Sequence, residues 1–155
     1  MLVLVIQIAA DRYALDARCV REVVPAVALR PVPHAPAEVA GLATWRGQVT
    51  PVIDLVELLR GEPCPQRMSS RMVVVDYGVG RDARPLGLLA EQITDVERVD
   101  DKTIEEPGVR VPGATYLGRV MRIHGAIVQL VEVKDLLPDA LRKLLWAAVD
   151  GETRA

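Results

Sequence analysis

Two stretches of this chain repeat each other in order, and that repetition limits the fold more than any single motif. Arg46–Leu59 (RGQVTPVIDLVELL) lies on His124–Leu137 (HGAIVQLVEVKDLL) at a shift of 78. Three of the 14 positions are identical (Gly47/Gly125, Leu58/Leu136, Leu59/Leu137) and six are conservative, Asp54/Glu132 and Glu57/Asp135 among them. At a shift of 73, YALDARCVREVV lies on LGLLAEQITDVE, with Leu15/Leu88, Ala17/Ala90 and Val23/Val96 identical. Each copy runs hairpin, short helix, loop, turn glycine, apolar strand, acid, leucines. Half of a 155-residue chain is a poor core on its own, so the two copies are expected to pack together.

Composition says what fills that core. The chain has no Phe, two Trp and three Tyr, while half its residues are hydrophobic. Val, Leu, Ile and Ala must do the packing, and the β-branched ones favour pleated sheet. A net charge of -2 gives no basic field to attract nucleic acid or an anionic membrane. Cys19 and Cys64 fit neither a disulfide framework nor a CxxC site, and two reduced thiols in a cytoplasmic protein are expected. The opening MLVLVIQIAA lacks a basic leader and runs into a hairpin pattern, so it reads as a strand covered on both sides.

From there the pattern gives a hairpin at residues 2–15 and a short helix or helical turn in DARCVREVV, capped by Asp16. Four prolines between 25 and 37 make an extended crossing, which delivers the chain to GLATWRGQVTPVIDLVELL. Residues 60–71 form a polar loop and the expected boundary between halves. Met72–Tyr77 and Leu86–Leu89 flank a hairpin turn, GVGRDAR; no GKS/T follows its glycines, so it is a turn and not a phosphate loop. EQITDVERV reads as a second short helix leading into a strand, 100–115 as a surface loop, and Tyr116–Val120 and Ile127–Val131 as the last strands. Pro138 opens a terminal helix with a Leu141, Leu144, Leu145, Val149 stripe, followed by a frayed GETRA tail.

Catalysis is poorly served by this inventory. His34 and His124 stand 90 positions apart and belong to no metal spacing, and there is no GxSxG, Walker or Cys–His signature. Asp54 and Glu132 occupy equivalent repeat positions, which argues for a shared structural task such as capping over acid–base chemistry. No catalytic, cofactor or metal residue is therefore expected. Trp45 and Arg46 precede a turn glycine, and these are the residue types that most often anchor interfaces. Two readings stand open: a Trp–Arg pair projecting from the sheet edge, or a core tryptophan beside an ordinary surface arginine. For Val20 and Glu22 the alternatives are partner contact, or a core valine and a solvated acid. A small barrel binding single-stranded nucleic acid is the alternative function class, but it needs stacking aromatics in a basic groove.

The same residues carry a resemblance. GLATWRGQVTPVIDL resembles the G-x-x-x-x-R-G-x-x-x-P-x-x-D-L signature of the CheW-like domain family through Gly41, Arg46, Gly47, Pro51, Asp54 and Leu55. YALDARCVREVV is similar to its Y-x-[IL]-x-x-x-x-V-x-E-[IV] segment, and LGLLAEQITDVERV to G-L-x-V-D-x-V-x-x-V, with Glu91 in place of Asp. The resemblance spans about residues 2–137. It implies a mainly β fold of two pseudo-repeated five-stranded, SH3-like β-barrel subdomains with short helices and a C-terminal helix. Within one domain, subdomain 1 would span about 13–66 and subdomain 2 about 71–137, with the first strand and helix 138–149 packed on it or bridging. It further implies a non-enzymatic, cytoplasmic adaptor coupling the cytoplasmic tip of a chemoreceptor to the regulatory domain of a CheA-like histidine kinase. That role involves no cofactor, no nucleic acid and no membrane insertion. Receptor contact would fall on Val20, Glu22, Gly41, Trp45, Arg46 and Gly47. The chain departs from the pattern at Trp45, where a small aliphatic residue is usual, and at Val131-Glu132, which replaces Leu-Asp.

Overall fold

A computed structural model describes every residue of the chain except Val79, Arg110 and Ala155, and of Arg154 the backbone alone. Those positions of the expected turn, loop and tail lie outside the described residues. Ten strands form two five-stranded sheets. The first sheet holds β1 (Leu2–Ile8), β2 (Asp11–Asp16), β8 (Gln92–Arg98), β9 (Leu117–Ile123) and β10 (Ala126–Val131), in the order β8-β1-β2-β10-β9. The second holds β3 (Val20–Pro25), β4 (Val39–Trp45), β5 (Gln48–Asp54), β6 (Arg71–Tyr77) and β7 (Arg84–Ala90), in the order β3-β6-β7-β5-β4. In each sheet a hairpin sits at the centre and one parallel pair joins it to the closing hairpin, β2 with β10 and β7 with β5. The strand orders leave β8 and β9, and β3 and β4, as outer strands that do not pair with each other, so the expected barrels stay open along one seam.

The two sheets match strand for strand under the sequence repeat, but with the central hairpins exchanged. Hairpin β1–β2 completes the sheet of β8, β9 and β10, while β6–β7 completes that of β3, β4 and β5. A division at 66/71 therefore does not follow the sheets, and the polar loop before β6 is a crossing inside the second one. Side-chain alternation explains why exchange is stable. In β1, Val3 and Val5 join a cluster inside the first sheet with Ala14, Met121, Ile123, Val128 and Leu130. Its alternate residues Leu4, Ile6 and Ile8 join a larger cluster between the sheets. In β6, Met72 and Val74 face the inside of the second sheet with Ala43, Trp45 and Val52. Val73, Val75 and Tyr77 face the shared cluster. Strands apolar on both faces need cover on both, and a central place in one sheet with its back to the other supplies it.

Of the two segments expected to open as helices, the first keeps one helical turn and the second is strand almost throughout. After Asp16 there is a single 3-10 turn, Ala17–Cys19, in which the Asp16 carboxylate accepts the Arg18 N–H as an N-cap should. The chain then extends into β3, because Val20, Val23 and Val24 are β-branched and β6 offers an antiparallel edge. EQITDVERV becomes β8 for the same reason, pairing with β1. Among the described residues the α-helices are α1 (Leu55–Arg60) and α2 (Asp139–Arg154), the latter running into the expected tail as far as Arg154. Although it follows the first sheet, α2 lies against the second: Leu141, Leu145 and Val149 are buried, and Trp146 packs obliquely on Tyr77. Arg84 at the start of β7 lies over Trp146 and pairs with Asp150. Among the described residues no helix is long and apolar enough to cross a membrane.

Candidate functional site

The β4–β5 connection is a two-residue hairpin loop, Arg46-Gly47, closed by Trp45 opposite Gln48. Both loop residues have positive φ, 48° and 75°, the signature of the type I′ turn whose twist matches the flanking strands. Gly47 takes that conformation freely, but Arg46 does so against its own Cβ, so the turn presents a strained, non-glycine residue at its tip. The β9–β10 connection repeats the geometry: His124 at 49°, Gly125 at 79°, closed by Ile123 opposite Ala126.

Trp45 does not project with Arg46. It is 8% exposed and fills the inside of the second sheet beside Ala43 and Val52, the position Ile123 holds in the first sheet. Its indole Nε1–H donates to Glu22 Oε2 at 2.8 Å. Glu22 lies on β3 and Trp45 on β4, the outer strands of that sheet, so this bond draws the open seam together. Arg46, with its side chain 68% exposed, sets its guanidinium 5.1 Å from the Trp45 ring centroid and makes a loose 3.5 Å ion pair with Glu22 Oε1. Arg21 lies 5.8 Å from the same ring and is ion-paired to Asp76. The indole bond, seconded by Arg46, holds the Glu22 carboxyl below the usual carboxylate range. With its ring buried and attended by two guanidiniums, Trp45 offers no platform on which a base could stack.

The remaining expected contacts are spread along these strands. Val20 lies two residues before Glu22 and packs against the shared core between the sheets. Gly41 sits four residues before Trp45, about 13 Å away along β4. Its φ of 144° and its closeness to the crossing segment both require glycine, since a Cβ there would lie 2.5 Å from the Arg30 carbonyl oxygen. Thus Glu22, Trp45, Arg46 and Gly47 form one constellation, while Val20 and Gly41 flank it. Sequence reasoning did not single out Arg21 and Asp76. A break in the β3 register between Val20 and Glu22 turns Arg21 to the same face as Glu22, beside Trp45 and Asp76, and a bulge of that kind leaves no periodic signal in the sequence.

Asp54 and Glu132 divide the task that the repeat suggested they share. The Asp54 carboxylate accepts the N–H groups of Val56 (3.0 Å), Glu57 (3.2 Å) and Cys64 (2.8 Å), capping α1 and anchoring the loop beyond it. Glu132 makes no such cap over its 3-10 turn, Val133–Asp135; it lies against Gly118, 3.9 Å from Arg119. A carboxylate spent on three backbone amides is not a general base. Cys19 and Cys64 are free thiols, each pushed up to about 11, chiefly by burial, which removes the thiolate a nucleophile would need.

The chain is similar to known proteins over most of its length. The family model for the CheW-like domain matches residues 2–141. The chain is 27% identical over 135 residues to the chemotaxis protein CheW of Rhizobium meliloti (strain 1021), covering 86% of this chain and 84% of that one. It is 30% identical over 134 residues to a probable chemotaxis protein CheW of Rhizobium etli, covering 83% and 82%. The crystal structure of the scaffolding protein TtCheW from Thermoanaerobacter tengcongensis superposes with a TM-score of 0.79 at 23% identity, over 90% of this chain and 89% of that one.

Proposed function

The chain belongs to the CheW-like domain family, and from that premise we propose that its Arg46 turn is the surface through which it engages a chemoreceptor. Its role is that of a non-enzymatic scaffold coupling chemoreceptors to the histidine kinase CheA in chemotaxis. Within that role, the receptor's cytoplasmic tip contacts Glu22, Arg46 and Gly47 directly, with Trp45 beneath them as the positioning residue and Val20 and Gly41 at the flanks. The kinase partner is the CheA regulatory domain, and the complex sits in the cytoplasm beneath the receptor array.

One observation carries this reading. Arg46 is held at the tip of a strained turn, its side chain largely in solvent, and its guanidinium is supported by a ring and a carboxylate that engage only part of it. A planar fork with free N–H donors, fixed in direction, suits a carboxylate or a row of backbone carbonyls on a partner helix hairpin. Co-sedimentation with a receptor signalling fragment and CheA tests it. The wild-type chain is expected in the pellet with both. Arg46→Glu, folded by circular dichroism, is expected to drop out of the receptor complex while still binding CheA, and full retention would remove the assignment.

A further inference from the structure

The second copy of the turn presents a different chemistry. We propose that Asp95, Glu97 and His124 form a binding site for a divalent transition-metal cation of the Zn²⁺ class, which ties the β9–β10 turn to outer strand β8. Asp95 and Glu97 are alternate residues of β8, paired across from Val5 and Val3, so both point to the inner side of the first sheet at its open seam. His124 reaches them from the tip of the opposite hairpin, its Nε2 2.7 Å from Glu97 Oε1. One donor atom from each of the three residues lies within 4.8 Å of the others.

The internal repeat shows what this place requires. In the second sheet the corresponding acid, Glu22, is met by the Trp45 indole N–H and the fixed positive charge of Arg46. In the first sheet Ile123 replaces Trp45 and offers no donor, and a titratable imidazole replaces the guanidinium. The acids meanwhile are two: Asp95 at the repeat position of Glu22, and Glu97 beside it. They stand close enough to hydrogen-bond to each other. Two adjacent carboxylates repel each other, and one imidazole can offer at most a single positive charge against them. A divalent cation neutralises both while using the imidazole nitrogen as a ligand.

The donor set selects the ion. One imidazole nitrogen with two carboxylate oxygens suits Zn²⁺ or Co²⁺, whereas Mg²⁺ and Ca²⁺ take oxygen ligands. Tetrahedral Zn²⁺ binds these donors at about 2.0–2.2 Å, which spaces them about 3.3–3.6 Å apart. Rotation of three partly solvated side chains provides that. Three protein ligands leave a fourth position for water or for a side chain of a docked partner.

Titration calorimetry of the full chain with Zn²⁺ tests the site. The expected result is saturable 1:1 binding in the micromolar range, weakened at least about tenfold in His124→Ala and in Glu97→Gln. A Co²⁺ spectrum without a thiolate charge-transfer band keeps Cys19 and Cys64 out of the assignment. His124→Arg, which imitates the other copy, is expected to fold as stably as the wild type and to lose the Zn²⁺ response. Absence of saturable binding, a thiolate band, or undiminished affinity in His124→Ala overturns the proposal.

Discussion

Arg46 draws its direction from Trp45, and substitution at Trp45 separates packing from positioning. Trp45→Ala removes a side chain buried inside the second sheet and should cost about 3–5 kcal/mol in urea unfolding. Trp45→Phe keeps most of that volume but deletes the N–H to Glu22, and should weaken receptor binding more than it weakens the fold. It should also change the acid response. Glu22 is held below its ordinary value of 4.5 in the folded chain, so its contribution to stability is complete above that value. It is lost as pH falls through the lower, folded value. The stability difference between wild type and Glu22→Gln should accordingly vanish in acid, and in Trp45→Phe it should vanish at a higher pH, as thermal melts across an acid series would show. The arginine was legible in the sequence because it broke the repeat. The burial of Trp45 was not, since a tryptophan before a turn glycine satisfies an inward or an outward alternation equally well.

At the scale of elements, caps and close approaches fix the joints. Asp54→Ala should destabilise the chain by about 2 kcal/mol, because the cap of α1 and the anchor of Cys64 N–H are lost together at a buried position. Glu132→Ala should cost less, as that carboxylate caps nothing. Chemical denaturation of the pair measures the difference, and equal losses would contradict the division of roles. Gly41→Ala should fold poorly, with its Cβ driven into the Arg30 carbonyl. The acid at 54 was readable as a cap from its place before a leucine run. Segments 17–24 and 91–99 misled because a capping acid or turn precedes apolar residues at spacings that also fit a helix. β-branching and an available outer edge of a sheet decided for strand.

For the molecule as a whole, the exchanged hairpins and α2 make two sheets behave as one unit. The shared cluster draws Leu4, Ile6 and Leu15 from one sheet and Val73, Val75 and Leu86 from the other, with Leu145 of α2 closing it. Unfolding should therefore be a single transition, with far-UV and near-UV signals coincident. Leu145→Ala should lower stability by about 2–5 kcal/mol without splitting that transition. Pseudo-repetition was visible in the residues, and five strands per half came only with the family resemblance; the exchange was not visible, because two repeats give the same alternation whether each hairpin closes its own sheet or its neighbour's. The same repetition supplies the control for function. Arg46 and His124 occupy turns of one geometry, so a glutamate at each perturbs the backbone alike. The decisive measurement is receptor-fragment affinity for Arg46→Glu beside His124→Glu, in a chelating buffer. The account predicts a loss of at least about tenfold for Arg46→Glu, of the size that removing an interface anchor causes, and wild-type affinity for His124→Glu. Wild-type affinity in Arg46→Glu, or equal losses in both, would contradict it.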